Sequence, residues 1–251
     1  MNIVERTKLI LKLLQDKDYM MVDDIAELTG VSKATIRRDL QDLEKVGKVR
    51  RFHGGVSLND SSMIDNGFPI AERMGLYQEE KESIARYAAE FIKEGDVVYL
   101  DGGSTAYCLI DHLHSDNIKI VTNSLYAAVK LAEKGIGVYI LGGDIMSHSL
   151  GVISQDTIDL VKKLNFDIAF LGTSGIDIKA GLSSSNSFDA TLKSVVMERS
   201  NQVYVLADHS KFGIRKLYTF AELQNVNIIS SNTAAVDGYG DNIIFADSEK
   251  A

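Results

Sequence analysis

The chain has 251 residues, 45% hydrophobic and 25% charged, ordinary globular values with room for a small domain beside a medium one. Its single cysteine, Cys108, excludes an intramolecular disulfide and fits a reducing compartment. No apolar run approaches the roughly 20 residues that span a bilayer, and Met1–Gln15 is amphipathic and charged, unlike a signal peptide, so a cytoplasmic protein is expected.

The net charge of −8 argues at first against nucleic acid. It is unevenly placed, however: residues 1–58 hold 11 Lys/Arg against 9 Asp/Glu, and residues 31–55 hold 7 against 3. A short basic segment on an acidic protein is the asymmetry of a module that meets phosphates, although a solvated helix face has the same charge count.

Val4, Ile10, Leu11 and Leu14 recur at a helical period and predict a first helix over about 4–15. Val22, Ile25, Ala26 and Leu28 predict a short second helix, closed by Thr29-Gly30, where glycine tolerates a left-handed cap. Ser32 is a good N-cap for a third helix, with Ile36, Leu40, Leu43 and Val46 as its buried stripe and Gly47 as its end. Residues 48–56 then read as a basic, glycine-containing β wing.

Two packed helices joined by a glycine turn, followed by a basic ribbon, predict a winged helix-turn-helix over residues 1–57. The exposed positions of the third helix are Lys33, Thr35, Arg37, Arg38 and Gln41. Arg and Gln make bidentate contacts to guanine and adenine edges. Ser32, Lys33, Thr35 and the helix N-terminus suit phosphate. Arg50, Arg51 and His53 in the wing are placed for backbone or minor groove. The implied partner is double-stranded operator DNA.

Residues 58–70 are polar and turn-prone, the pattern of a linker, with the only proline, Pro69, at its far edge. From 71 to 251 the pattern changes. After a helix near 78–92, the apolar runs Val97–Leu100, Ile118–Val121, Val138–Leu141, Ile168–Leu171 and Val203–Ala207 each lead into a small polar loop. Helical patterns fall between most of them, at 105–113, 124–134, 154–163 and 188–200. Strand, small-residue loop and helix in repetition predict an α/β domain with a doubly wound, mostly parallel sheet, whose ligands sit at the carboxyl ends of the strands.

The run from Thr29-Gly30-Val31-Ser32-Lys33 to Arg37-Arg38-Asp39-Leu40, then Arg51-Phe52-His53-Gly54-Gly55-Val56, resembles the DeoR family of transcriptional regulators. The resemblance continues through Asp101-Gly102-Gly103-Ser104-Thr105, Thr122-Asn123-Ser124 and Leu141-Gly142-Gly143. It extends to Gly172-Thr173-Ser174-Gly175 and Ala207-Asp208-His209-Ser210-Lys211, so that it covers nearly the whole chain. It implies a repressor of a carbohydrate catabolic operon, released by a phosphorylated sugar, with a sensor domain similar to ribose-5-phosphate isomerase.

The residues agree with that implication. The Asp101–Thr105 turn offers backbone N–H groups at a helix start, two glycines for close approach, and the Ser104 and Thr105 hydroxyls. Thr122, Asn123, Ser124, Gly142, Gly143, Gly172, Thr173, Ser174 and Gly175 lie at neighbouring strand ends. Asp208 can accept from sugar hydroxyls and Lys211 can pair with phosphate, whereas helix capping is the structural alternative for Asp208. Two stretches depart from the family pattern: Phe188-Asp189-Ala190-Thr191-Leu192-Lys193-Ser194, where a glutamate and an arginine are usual, and a polar C-terminus in which only Ile243–Phe245 predicts a strand.

A non-enzyme without cofactor is expected, because the isomerases' Asp-Gly-Ala-Asp acids align with Leu171-Gly172-Thr173-Ser174. No metal site is expected either: the histidines are scattered, and His112 and His114 are two apart. A homo-oligomer, dimer or tetramer, would pair the DNA-reading modules. Two other readings stay open, a second domain that only oligomerises and an isomerase-like enzyme fused to a DNA-binding module.

Overall fold

The computed structural model describes residues 3–15, 20–45, 48–52, 55–58, 70–113, 117–147 and 149–246. Val46, Gly47, His53, Gly54, residues 59–69 with Pro69, His114 and His148 lie outside the described residues, and with them most of the expected linker. The chain forms two compact units, Met1–Leu76 and Tyr77–Ala251.

In the first unit, α1 (Ile3–Gln15), α2 (Val22–Thr29) and α3 (Lys33–Lys45) pack on a three-stranded antiparallel sheet. Its strands are β1 (Met20–Met21), β2 (Val49–Phe52) and β3 (Gly55–Leu58), in the order β1-β3-β2. The wing is thus wider than the ribbon expected at 48–56, because Met20 pairs with Val56. Ile10, Leu14, Ile25, Ile36, Leu40 and Val56 meet in one fully buried cluster, the apolar stripes of all three helices turned inward. A short helix, α4 (Ile70–Met74), follows.

The second unit is built on a seven-stranded sheet. In chain order its strands are β4 (Val97–Leu100), β5 (Lys119–Thr122), β6 (Val138–Ile140), β9 (Phe166–Leu171), β12 (Ser200–Leu206), β14 (Asn227–Ser230) and β15 (Ile243–Phe245). The spatial order is β15-β14-β12-β9-β4-β5-β6, every pair parallel. Successive residues of a strand face opposite sides, so Ile168 and Phe170 enter one apolar cluster while Ala169 and Leu171 enter the other. The helices α5 (Gln78–Ala89), α6 (Ser104–Leu109) and α7 (Leu125–Glu133) cover the first face, and α8 (Gln155–Val161) and α9 (Ser187–Glu198) cover the second. This is the doubly wound α/β fold that the repeated strand–loop–helix pattern predicts.

Three features are absent from the sequence-based expectation. A hairpin joins β7 (Asp144–Ile145) to β8 (Val152–Ile153). A small antiparallel sheet combines β10 (Gly175–Asp177), β11 (Gly181–Ser184) and β13 (Tyr218–Ala221). The C-terminal stretch adds two parallel strands, β14 as well as the expected β15. Among the described residues, no helix is long and apolar enough to cross a membrane.

Candidate functional site

The turn between α2 and α3 follows from Gly30. Its φ of +65° is costly for a residue with a Cβ, and it lets the Val31 N–H reach back to the Ala26 carbonyl at 3.1 Å. The Ser32 hydroxyl then accepts the Thr35 N–H at 3.2 Å and starts α3 as an N-cap. Lys33, Arg37, Arg38 and Gln41 are exposed, Ser32 likewise, and Thr35 is half-buried. Lys33 pairs with Asp23 of α2 at 2.6 Å with both side chains more than half exposed, a contact weak enough to yield to a phosphate.

Two acidic residues hold this surface from behind. Asp39, 4% exposed on the inner face of α3, takes a two-pronged grip from Arg6 of α1, with Nη2 to Oδ1 at 2.9 Å. Glu44 accepts the Arg51 N–H at 2.9 Å, with the Arg51 guanidinium 3.7 Å from its other oxygen, and so pins β2 to α3. Arg50 lies in β2 opposite Ser57; His53 is outside the described residues.

In the second unit, the strand order reverses between β4 and β9. At such a switch point the connections leave to opposite faces and open a crevice at the carboxyl ends. The loops at those two ends touch: a Cβ built on Gly103 would lie 3.6 Å from the Gly172 Cα. Asp101, 5% exposed, accepts the Gly172 N–H at 2.8 Å. On the other side, a Cβ on Gly102 would lie 3.6 Å from Ser124 Cβ and 3.8 Å from Asn123 Oδ1. The expected Asp101, Gly102, Gly103, Asn123, Ser124 and Gly172 therefore converge.

Lys193 and Asp189 of α9, which the sequence reading left without a role, complete this centre. Lys193 Nζ lies 2.6 Å from Asp189 and 3.5 Å from Asp101, and Asp189 also accepts the Ser184 hydroxyl at 2.7 Å. Burial opposes the Lys193 charge, but Asp101 and Asp189 outweigh it and raise its pKa above the ordinary lysine value. Tyr99, buried next to them, donates to Asn123 Oδ1 at 3.3 Å. Its pKa is pushed well up by burial first and by Asp101 and Asp189 next. The available signal was the four-residue spacing of Asp189 and Lys193, which puts both on one helix face.

The remaining candidates have local tasks. Ser104 and Thr105 are buried in the first turn of α6, and Thr122 Oγ1 accepts the Ser124 N–H at 3.1 Å. Ser124 caps α7 through the Ala127 N–H. Gly142 gives its carbonyl to the Thr157 hydroxyl at 2.6 Å. A Cβ on Gly143 would come 2.5 Å from Thr157 Oγ1, so the pair seats the start of α8. The Thr173 hydroxyl bonds the Gly175 and Ser183 carbonyls, Ser174 N–H bonds Ser183, and Gly175 packs against the Ile214 backbone. Asp208, 1% exposed, caps a three-residue 3-10 turn through the Ser210 N–H at 3.0 Å, the capping role that is its structural alternative. Lys211 is the half-buried end of that turn.

A helix-turn-helix with a basic outer helix and a wing, in one chain with a doubly wound unit, defines the class of DNA-binding regulators. The family model of the DeoR-like helix-turn-helix domain matches residues 6–62, and that of the DeoR C terminal sensor domain matches residues 77–233. The chain belongs to the DeoR family of transcriptional regulators.

The glycerol-3-phosphate regulon repressor of Escherichia coli K12 is 32% identical over 234 residues, 91% of this chain and 90% of its own. The HTH-type transcriptional regulator GlpR of Haloferax volcanii is 33% identical over 235 residues, 93% and 91% of the two chains. The uncharacterized HTH-type transcriptional regulator FruR of Bacillus subtilis is 33% identical over 230 residues, 91% and 90%. Among solved structures, ribose 5-phosphate isomerase A of Methanocaldococcus jannaschii matches 55% of each chain at 21% identity with a TM-score of 0.39, a distant likeness.

Proposed function

We propose that this regulator represses a carbohydrate catabolic operon and is released from its operator by a phosphorylated sugar bound at the switch point of the second unit. The observation that carries this reading is the buried Asp101–Lys193–Asp189 cluster beneath the Gly103–Gly172 contact. A polar cluster at that depth is costly to build and fits a site made to recognise something polar. One ammonium between two carboxylates is net acidic, so it suits sugar hydroxyls rather than phosphate. The phosphate falls to the backbone N–H groups of the Gly102–Thr105 turn, with Thr122–Ser124 and Ser174 along the rim and Lys211 as counter-charge. Gly142, Gly143, Thr173, Gly175 and Asp208 shape those loops.

On the DNA side, Arg37, Arg38 and Gln41 read base edges. Ser32, Lys33, Thr35, Arg50, Arg51 and His53 bind backbone or minor groove. Two copies, joined through their second units, engage two half-sites. A ligand that prefers one arrangement of the pair shifts the population away from the DNA-bound state. The reading contains no catalytic step, in keeping with relatives that are regulators. An isomerase assay on the purified protein checks that.

The deciding experiment is a mobility-shift titration on DNA upstream of its own gene, with and without glycerol 3-phosphate and a panel of hexose phosphates. Release by one compound is expected. Binding that no compound alters returns the second unit to pure oligomerisation. On the same DNA, Arg37→Ala is expected to weaken specific binding by about 1–3 kcal/mol, and unchanged affinity removes Arg37 from the interface.

A further inference from the structure

The turn after β12 is held by a residue that no sequence pattern singles out. Glu80, in the first turn of α5, has a side chain only 14% exposed. Its Oε1 accepts the His209 backbone N–H at 2.6 Å and the Ser231 hydroxyl, and its Oε2 lies 2.7 Å from His209 Nδ1. A carboxylate only accepts, so the imidazole proton sits on Nδ1. One side chain thereby gathers the loops after β12 and β14 onto the start of α5.

Tyr77 adds a second hold. Its ring meets the His209 ring edge-on at 4.5 Å. Its φ is +50°, a left-handed conformation that a tyrosine keeps only when its surroundings impose it. Tyr77 is also where the chain enters the second unit, directly after Leu76. From the other side, Asp208 caps the same turn, His209–Lys211. One three-residue turn therefore separates a candidate effector residue from the point of entry of the chain that carries the helix-turn-helix.

We propose that Glu80 is a positioning residue that couples the effector loop to the DNA-reading unit. A ligand that draws Lys211 moves the His209–Lys211 turn. That turn cannot move without changing the bonds to Glu80 and the packing that fixes Tyr77. Glu80 touches neither sugar nor DNA in this account; it makes the position of the turn and the path of the chain at Tyr77 one variable. The inference rests on the proposal that Lys211 meets the effector.

Coupling is reciprocal, so operator binding must be felt at the turn even without effector. The test is amide hydrogen exchange on the full chain, free and bound to a duplex selected by this protein from a random-sequence pool. In the wild type, DNA is expected to change exchange at residues 209–211 by about 5-fold or more, the lower end of common coupling strengths. Glu80→Ala is expected to bind the duplex within about 3-fold of wild type while that change disappears, and any sugar phosphate that releases the wild type no longer releases it. A residue that only stabilised the fold would shift melting and leave the linkage intact. If Glu80→Ala does not fold, His209→Ala, which loses the ring contacts and keeps the backbone bond, is read in the same way. Exchange at 209–211 that ignores DNA in the wild type, or responds equally in the variants, overturns the coupling role. Failure of every sugar phosphate to release wild-type DNA is a separate result that overturns only the effector reading.

Discussion

Lys193 shows why the candidate site is costly to alter one residue at a time. At 6% exposure it survives as an ammonium only because Asp101 and Asp189 flank it, and they in turn depend on it. Lys193→Met leaves Asp101 as a buried carboxylate without its counter-charge, a change that costs about 3–5 kcal/mol in comparable cases. Urea denaturation should show that loss, and effector response should vanish. Unchanged stability would mean that the cluster is solvated. The pH dependence has a definite sign. The folded-state pKa of Lys193 lies above the ordinary 10.5, so its stabilisation is complete below that value and is lost as pH rises through the folded pKa. The stability gap between wild type and Lys193→Met should narrow in strong alkali, where Lys193 loses its proton, and again toward acid, where the variant's uncompensated Asp101 takes one up. A gap that stays flat from acid to strong alkali would assign the effect to packing rather than to charge.

Among the elements, α1 and α3 illustrate what periodicity can and cannot reveal. Both helices were legible from their apolar stripes, and Gly30 and Ser32 marked the turn between α2 and α3 correctly. The Arg6–Asp39 link was not, since the two residues are distant in sequence and each looks like an ordinary surface charge. Arg6→Ala is expected to lower the melting temperature of the first unit and to weaken operator binding evenly across DNA sequences, because α3 loses its hold on α1. A variant that melts like wild type and changes base preference instead would make Arg6 a DNA contact. The β10-β11-β13 sheet escaped for a related reason. Its strands are short, two of the three begin with a glycine, Gly175 or Gly181, and their pairing is fixed by partners elsewhere in the chain, such as Leu182 with Ala221.

For the whole molecule, charge separation sets the behaviour with salt. Residues 1–58 carry a net +2 and the remainder, 16 Lys/Arg against 26 Asp/Glu, a net −10, while α3 and the wing hold Lys33, Arg37, Arg38, Arg50 and Arg51. Two copies engaging 6–10 phosphates should lose about 10³–10⁵ in affinity between 50 and 200 mM salt. A shallow slope in a filter-binding titration would indicate that a single copy binds, or that the wing is not engaged.

The sequence by itself determined the order of the elements, the helix-turn-helix with its exposed basic positions, and the doubly wound character of the second unit. These depend on period, capping and turn residues, which are local. It also located the polar strand ends, because a parallel sheet puts every carboxyl end on one edge. Which of those ends meet was decided only by the tertiary structure. The reversal of strand order between β4 and β9 brings Asp101 to Gly172, and the packing of α9 on the sheet brings Lys193 to Asp101. Glu80 under His209 has the same origin. Contacts between residues tens of positions apart depend on how layers stack, and no local pattern in the chain encodes that.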